Sequence, residues 1–317
     1  MAVNAPKPAA VGVDDYIRSV KTLLDTSYGD IRAKRLEHRA DRIDLEPRIS
    51  HFERDMAALC SPVDNESRKR FFLSAAKIIG DFYRNFSIDL PEFLISSSKL
   101  GLDHHAVRPA VSLINELFIL ECEMEITTHG LMRSFRFWSD EEKRVYLRLG
   151  EQVISSLSSR FPLTCYGYGA VLSYVRSQDL MAHDDDLDLI VAVDRAEAPT
   201  IDKAIEAVCA HLASEGWQIW GSWASHRKVF REVGARDVDV FVGLVEGEHV
   251  SFLPGPRRAI LCSEVFPPMV GLLLGEVFPI PRQPETYLEK VYGADWRVPT
   301  PGWHHNWSPK GFEDILR

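Results

Sequence analysis

The run D-D-D-L-D-L at residues 184–189 sets four carboxylates among five consecutive side chains, directly before an aliphatic stretch. Alternate residues of an extended strand share a face. Asp186 and Asp188 therefore point one way, Asp184 joins them if the extension reaches back that far, and Asp185 points the other way. Two carboxylates about 5 Å apart repel by about 3 kcal/mol at an effective dielectric near 20. Protonation, solvent exposure or a hard divalent cation offsets such repulsion, and Mg²⁺ or Mn²⁺ does so directly through oxygen ligands. A solvated acidic turn ahead of a strand is the plain alternative. Against it stands V-D-V-F at residues 238–241, where Asp239 is the lone polar side chain between β-branched and aromatic neighbours, with Asp237 two positions earlier on the same face. A carboxylate on the covered side of a sheet is costly unless it is paired or bound to metal.

Two further features point the same way. Gly167 and Gly169 stand at a strand-to-helix turn upstream of the acids, where backbone N–H groups of a helix N-terminus can hold a phosphate. The stretch S-H-R-K-V-F-R at residues 225–231 places His226, Arg227, Lys228 and Arg231 on the strand that feeds Asp239, so Arg227 and Lys228 are phosphate candidates by position. Together these parts describe metal-assisted phosphoryl or nucleotidyl transfer. Asp186, Asp188 and Asp239 hold one or two Mg²⁺ ions, the metal polarises a pyrophosphate, and one carboxylate helps deprotonate the attacking hydroxyl.

The elements that must position these residues divide near residue 138. Residues 1–12 are small, Pro-containing and without periodicity, which predicts disorder. Residues 13–138 read as helical throughout, including a charged stretch over 31–59 and a long apolar helix over 107–126. From Ser139, spaced with Glu142 as a capping box, the order becomes helix, short strand, glycine turn and helix, then the acidic turn and its strand. A helix from Thr200 to a stop at Gly216 follows, then two strand-like runs joined by a hairpin at Gly234 and Ala235. From about Pro254 the chain reads as irregular with short helices. The predicted class is α+β, a mixed β-sheet module flanked by helices over 139–317 and preceded by an all-helical N-terminal region over 13–138.

Composition bounds the partners. With 317 residues and a net charge of −9, the chain lacks the broad cationic surface that gripping nucleic acid requires. The most apolar stretch is interrupted by Arg108, Pro109, Glu116, Glu121 and further polar groups, so it predicts a buried helix and no transmembrane segment. Five scattered cysteines without a CxxC pair suit a reducing cytoplasm and give no zinc pattern. His104 with His105, and His304 with His305, are weak metal signals for the same reason.

The order of glycine turn, helix, Asp-hydrophobic-Asp and a third Asp on a later strand resembles the nucleotidyltransferase fold of the polymerase-beta type. More narrowly, G-A-V-L-S-Y-V-R at 169–176, then seven residues and D-D-D-L-D-L, then V-D-V-F, resembles the LicD and fukutin-related family. The tail Y-L-E-K-V-Y-G-A-D-W-R-V-P at 287–299 is similar to that family's third motif. The likeness spans roughly residues 145–300. Ser173 departs from a family glycine, and Ala182 and His183 from a Pro-Trp pair before the acids, which bears on the donor pocket.

What the resemblance implies is transfer of a phospho-alcohol (phosphocholine, ribitol phosphate or glycerol phosphate) from a CDP-linked donor to a hydroxyl of a glycan or glycolipid acceptor, releasing CMP. It makes Asp186 and Asp188 primary metal ligands, Asp239 a third carboxylate as ligand or base, and Asp184 an auxiliary one. Gly169 and Arg176 would shape the phosphate-side turn, with a structural ion pair as the other role for Arg176. Tyr292 and Trp296 offer faces for a cytosine or sugar, with core packing as the alternative. The W-H-H-N-W run at 303–307 is a candidate acceptor groove. A cytoplasmic protein, at the inner face of the membrane through peripheral association and oligomeric through its helical N-terminal region, fits this reading. The competing expectation is a nucleotidyltransferase proper, moving a nucleoside monophosphate from an NTP onto a small molecule or protein. A non-catalytic binding module is the third.

Overall fold

The computed structural model describes residues 115, 119–127, 129–299 and 305–316, with Pro47, Ser50 and Arg54. Two compact units divide between Ser134 and Phe135. The expected disorder of residues 1–12, most of the charged helical stretch, most of the apolar helix and the His104 and His105 pair lie outside the described residues.

In the first unit, β1 (Glu125–Thr127) pairs antiparallel with β2 (Gly130–Met132) after a 3₁₀ turn at Leu120–Cys122. This corrects the all-helical expectation at its C-terminal end. Gly130 takes φ +112°, which closes the turn, and the Asn115 amide brackets Ile126, accepting from its N–H at 2.7 Å and donating to its carbonyl at 2.9 Å. A side chain that copies a strand partner in this way ends the helix pattern that apolar density alone suggests.

The second unit begins with a 3₁₀ turn at Phe135–Phe137 and α1 (Asp140–Ser158), whose capping box at Ser139 and Glu142 forms as the spacing predicts. Then follow β3 (Thr164–Tyr166), α2 (Tyr168–Ser177), β4 (Asp188–Asp194), α3 (Ile201–Ser214), β5 (Gln218–Trp220), β6 (His226–Phe230), β7 (Val238–Glu246), β8 (His249–Ser251) and β9 (Ile260–Leu261). These strands make a seven-stranded sheet with the path β3-β4-β7-β6-β5, extended from β7 by β8 and β9. Only β4 and β7 are parallel, joined by a crossover that runs through α3, β5 and β6, so the sheet is mixed and the unit is α+β.

Its end carries α4 (Cys262–Val265), a separate hairpin of β10 (Met269–Leu273) and β11 (Glu276–Ile280), α5 (Pro284–Tyr292) and α6 (Glu313–Leu316). The hairpin corrects the reading of this region as irregular. Gly275 at φ +88° makes the turn, and Pro279 fits because a two-stranded ribbon always has a free edge. Phe278 and Ile280 face the core, and Tyr166 stacks on Phe278 at 3.9 Å. No helix among the described residues is long and apolar enough to cross a membrane.

A buried ion cluster ties the C-terminus to the sheet. The Glu246 carboxylate at the end of β7 accepts from Arg257, Arg258, Arg195 and Ser251, at 2.8, 2.9, 3.0 and 2.8 Å. Arg257 also donates to the Gly311 carbonyl at 2.7 Å and pairs with Asp314 on α6. Phe312 and Ile315 are then held in the core.

Candidate functional site

The parallel register of β4 and β7 places Asp188 directly opposite Asp239. Neighbouring strands run about 4.8 Å apart, so the two carboxylates share one face at one end of the sheet. Their neighbours Leu187, Leu189, Val238 and Val240 are fully buried, which explains why these strands form here and why each carboxylate stands at the edge of a core.

The acidic turn is fixed from outside. Phe135 and Arg136 donate their N–H groups to the Asp184 and Ala182 carbonyls, and the Asp239 N–H donates to the Leu187 carbonyl. The strand itself starts only at Asp188, so strict alternation does not extend back through the run. Asp185 was expected to face away. Instead Asp184, Asp185 and Asp186 each present a carboxylate oxygen within 4.8 Å of the others. His183 is exposed beside them.

Gly167 caps α2 in extended backbone, with Tyr168 next at φ +38°. The Gly167 N–H donates to the Asp188 carbonyl at 2.9 Å, and the Gly169 N–H donates to Asp188 Oδ2 at 3.1 Å. The helix N-terminus thus holds a carboxylate where a phosphate was expected. A Cβ at Gly167 would meet Ile190 Cγ2 at 2.5 Å, so this glycine lets α2 close on β4. A Cβ at Gly169 would lie 3.3 Å from Asp184 Oδ2 and 3.4 Å from Asp188 Oδ2, so Gly169 is the floor beneath both carboxylates. Tyr287 of α5 accepts from the Tyr168 N–H at 3.1 Å, which brings the tail motif under the same turn.

The charges do not balance within this cluster. Burial pushes the Asp188 carboxyl well above the usual range, and the charges of Asp186, Asp239 and Asp184 push it further, against the pull of the Gly169 N–H. Burial likewise raises Asp239 to about 6; the Lys228 ammonium opposes the rise, and Asp186 and Asp237 add to it. Lys228 Nζ lies 3.0 Å from Asp239 Oδ1 and 3.0 Å from Asp237 Oδ1. Burial would lower the Lys228 ammonium, but these two carboxylates outweigh it and hold the group above its ordinary value. Asp239 Oδ1 is buried and meets the Lys228 ammonium as an ion pair. Crowded carboxylates and a side-chain-free floor fit a hard cation such as Mg²⁺ or Mn²⁺. Asp184, Asp185 and Asp186 are the carboxylates gathered closely enough to share one ion, and Asp188 and Asp239, paired across the strands, stand next to them.

The remaining candidates separate. Arg227 alternates away from Lys228 on β6, and its guanidinium donates to the Trp223 and His226 carbonyls, so it is not directed at the carboxylates. Arg176 is exposed and reaches the Val298 carbonyl at 3.4 Å. Tyr292 lies near the acids: burial first, then Asp188, raises its hydroxyl well above the ordinary range. Trp296 is 4 % exposed with Arg297 over its ring at 4.3 Å, so it packs in the core and offers no open face. Trp303 and His304 lie outside the described residues. His305 meets Tyr168 and Tyr292, each at 5.2 Å, and Trp307 lies 6.2 Å from His226.

Sequence reasoning missed one neighbour and named another, His226, only as part of the strand that feeds Asp239. Tyr146 of α1 donates its hydroxyl to the Asp237 carbonyl at 2.5 Å, and its position on the apolar face of an amphipathic helix gave no sign of this. His226 is stacked between Trp223 at 4.6 Å and Phe241 at 4.5 Å, with Nε2 4.0 Å from Asp239 Oδ2. Burial, then Lys228 and Arg227, lowers His226 to about 4, so the ring is neutral at neutral pH.

No protein-family model matches the chain, and no curated protein does. Among solved structures, the crystal structure of ANT(2")-Ia in complex with adenylyl-2"-tobramycin is similar over 54% of this chain and 85% of that one, at 16% identity and a TM-score of 0.33. Likeness at that level carries no argument about activity.

Proposed function

We propose that the chain is a divalent-metal-dependent transferase of the nucleotidyltransferase type, moving a nucleoside monophosphate from an NTP to a hydroxyl. The observation that carries this reading is the juxtaposition of Asp188 and Asp239 across β4 and β7, with Asp186 and Asp184 beside them. A bound Mg²⁺ or Mn²⁺ supplies charge neutralisation and Lewis acidity to the donor phosphates. Asp184, Asp186 and Asp188 orient the donor side against α2. Asp239, near 6 and buried, either completes the ligand set or takes the proton of the attacking hydroxyl. Lys228 holds a positive charge beside Asp239, from where it would meet charge developing on a donor phosphate.

A second reading is favoured by one specific observation. Tyr287 bonds the turn backbone at Tyr168, and Tyr292 lies beside Asp188, so both tyrosines of the tail motif line the glycine turn. This supports the LicD-like alternative, in which the donor is CDP-linked and CMP is released. Incubation with each NTP and with CDP-choline, CDP-ribitol and CDP-glycerol, with Mg²⁺ or with EDTA, tests both. Metal-dependent pyrophosphate release from an NTP supports the first, and CMP release supports the second. Absence of metal-dependent turnover with every donor, offered with a panel of hydroxyl acceptors, contradicts both.

A further inference from the structure

The cross-strand register aligns more than the two carboxylates. Asp188 pairs with Asp239, Asp239 with Lys228, and Lys228 with Trp220, so one row of side chains crosses four strands on a single face. The row begins in the carboxylate cluster and ends on an indole that is 61% exposed. Beyond it, Trp223 is 39% exposed and stands edge-on to Trp220, with ring centres 5.2 Å apart and planes at 75°. Trp307, 49% exposed, arrives from the C-terminal segment 6.4 Å from Phe241. Exposed apolar patches rimmed by polar residues mark interaction or ligand-binding surfaces.

This wall is built. Gly221 at φ +100° turns the chain between Trp220 and Trp223, and a Cβ there would collide with the Trp223 ring, so the loop closes only with glycine. Arg227 donates to the Trp223 carbonyl and pins the loop to β6. His226, parallel to Trp223 within 6°, backs the Trp223 ring on its inner face.

We propose that Trp220, Trp223 and Trp307 form an acceptor subsite that takes one face of a sugar ring. The geometry selects this class over a flat base. One face of Trp223 is already covered by His226, and the exposed indole surface that remains is a corner of two nearly perpendicular rings. Axial C–H groups of a pyranose carry slight positive charge and meet the negative face of an indole, while its bulk fills a corner. The hydroxyls of such a ring lie toward Lys228, Asp237 and Asp239, which supply donor and acceptor groups. The subsite stands on the Asp239 side of the row, opposite the α2 side, as an acceptor hydroxyl facing that carboxylate requires. The inference rests on the transfer reading above and names where its acceptor binds.

Saturation-transfer NMR on the full chain, without donor or metal, tests it with the methyl pyranosides of glucose, galactose, mannose and N-acetylglucosamine, and with adenosine and cytidine as flat controls. The expected result is saturation of one ring face of at least one glycoside, reduced five-fold or more in both Trp220→Ala and Trp223→Ala. Trp220→Phe keeps a ring and retains part of the signal. An unchanged melting temperature shows that these exposed positions leave the fold intact. Asp188→Asn, which removes transfer under the reading above, keeps the glycoside signal. Glycoside signal that depends on the indoles therefore supports the subsite even if no donor is turned over. Saturation confined to the nucleosides, absent from every glycoside, or undiminished in both alanine variants overturns it.

Discussion

Asp188 and Asp239 stand opposite each other in parallel register, and burial raises the carboxyls of both. That pairing costs free energy in the metal-free chain, since like charges in a partly dry site repel and are stripped of water. Asp239→Asn removes one of those charges and keeps the shape. Its expected effect is a higher melting temperature at pH 7.5 in EDTA and loss of at least 10³-fold in turnover with Mg²⁺. Scanning calorimetry and a turnover assay on the same preparation check both halves.

The two glycines of the turn should respond differently to alanine. At Gly167 the new methyl meets Ile190 in the core, an overpacking that costs about 1–3 kcal/mol in stability. At Gly169, inside α2, alanine suits the backbone but presses on the Asp184 and Asp188 oxygens. Gly169→Ala is therefore expected to melt within a few degrees of the parent and to bind Mn²⁺ about ten-fold more weakly, within the usual range for changes beside metal ligands. Denaturant melts and a metal titration separate the two outcomes.

Lys228 neutralises Asp239 and Asp237 in the absence of metal. Lys228→Met removes a positive charge from beside the cluster, so Mg²⁺ is expected to bind at least as tightly. Turnover falls ten-fold or more, because the charge that meets the phosphate is gone. Isothermal titration with Mg²⁺ and steady-state rates on one sample check that opposed pair of effects.

Glu246 provides a pH dependence remote from the carboxylate cluster. Hydrogen bonds from Arg257, opposed by burial and aided by Arg258 and Ser251, hold its carboxyl down at about 2 against an unfolded value of 4.5. A carboxyl whose folded value is depressed contributes stability above its unfolded value and loses it as pH falls through the folded one. Stability from this cluster is therefore full above about pH 4.5 and declines toward pH 2. Glu246→Gln is expected to lower the melting temperature at pH 6 and to flatten its fall between pH 4.5 and pH 3. Thermal melts across that range, read against the parent, check it.

The sequence made part of this site legible for a simple reason. A period of two among apolar neighbours marks Asp188 and Asp239 as strand residues facing one way, and Ser139 with Glu142 marks the start of α1. The register that sets Asp188 opposite Asp239 was not legible, because a parallel pair is chosen by the whole sheet across a crossover. Asp185 was misread because alternation was extended through residues that precede the strand, which begins at Asp188. The aromatic corner escaped notice because residues 217–233 read as one continuous strand. Gly221 in fact breaks it, at a φ that only structure reveals. The β10 and β11 hairpin was hidden by its own Pro and Gly content, since composition alone does not distinguish a tight ribbon from an irregular segment.

The most direct test of the central claim is a Mn²⁺ titration followed by electron paramagnetic resonance. Unmodified protein, Asp188→Asn and Asp239→Asn are compared at pH 7.5. The expected result is a bound Mn²⁺ signal in the unmodified protein that is lost or weakened at least 100-fold in both variants, while their circular dichroism is unchanged. Equal Mn²⁺ binding by all three proteins, or none by the unmodified protein, would contradict the account.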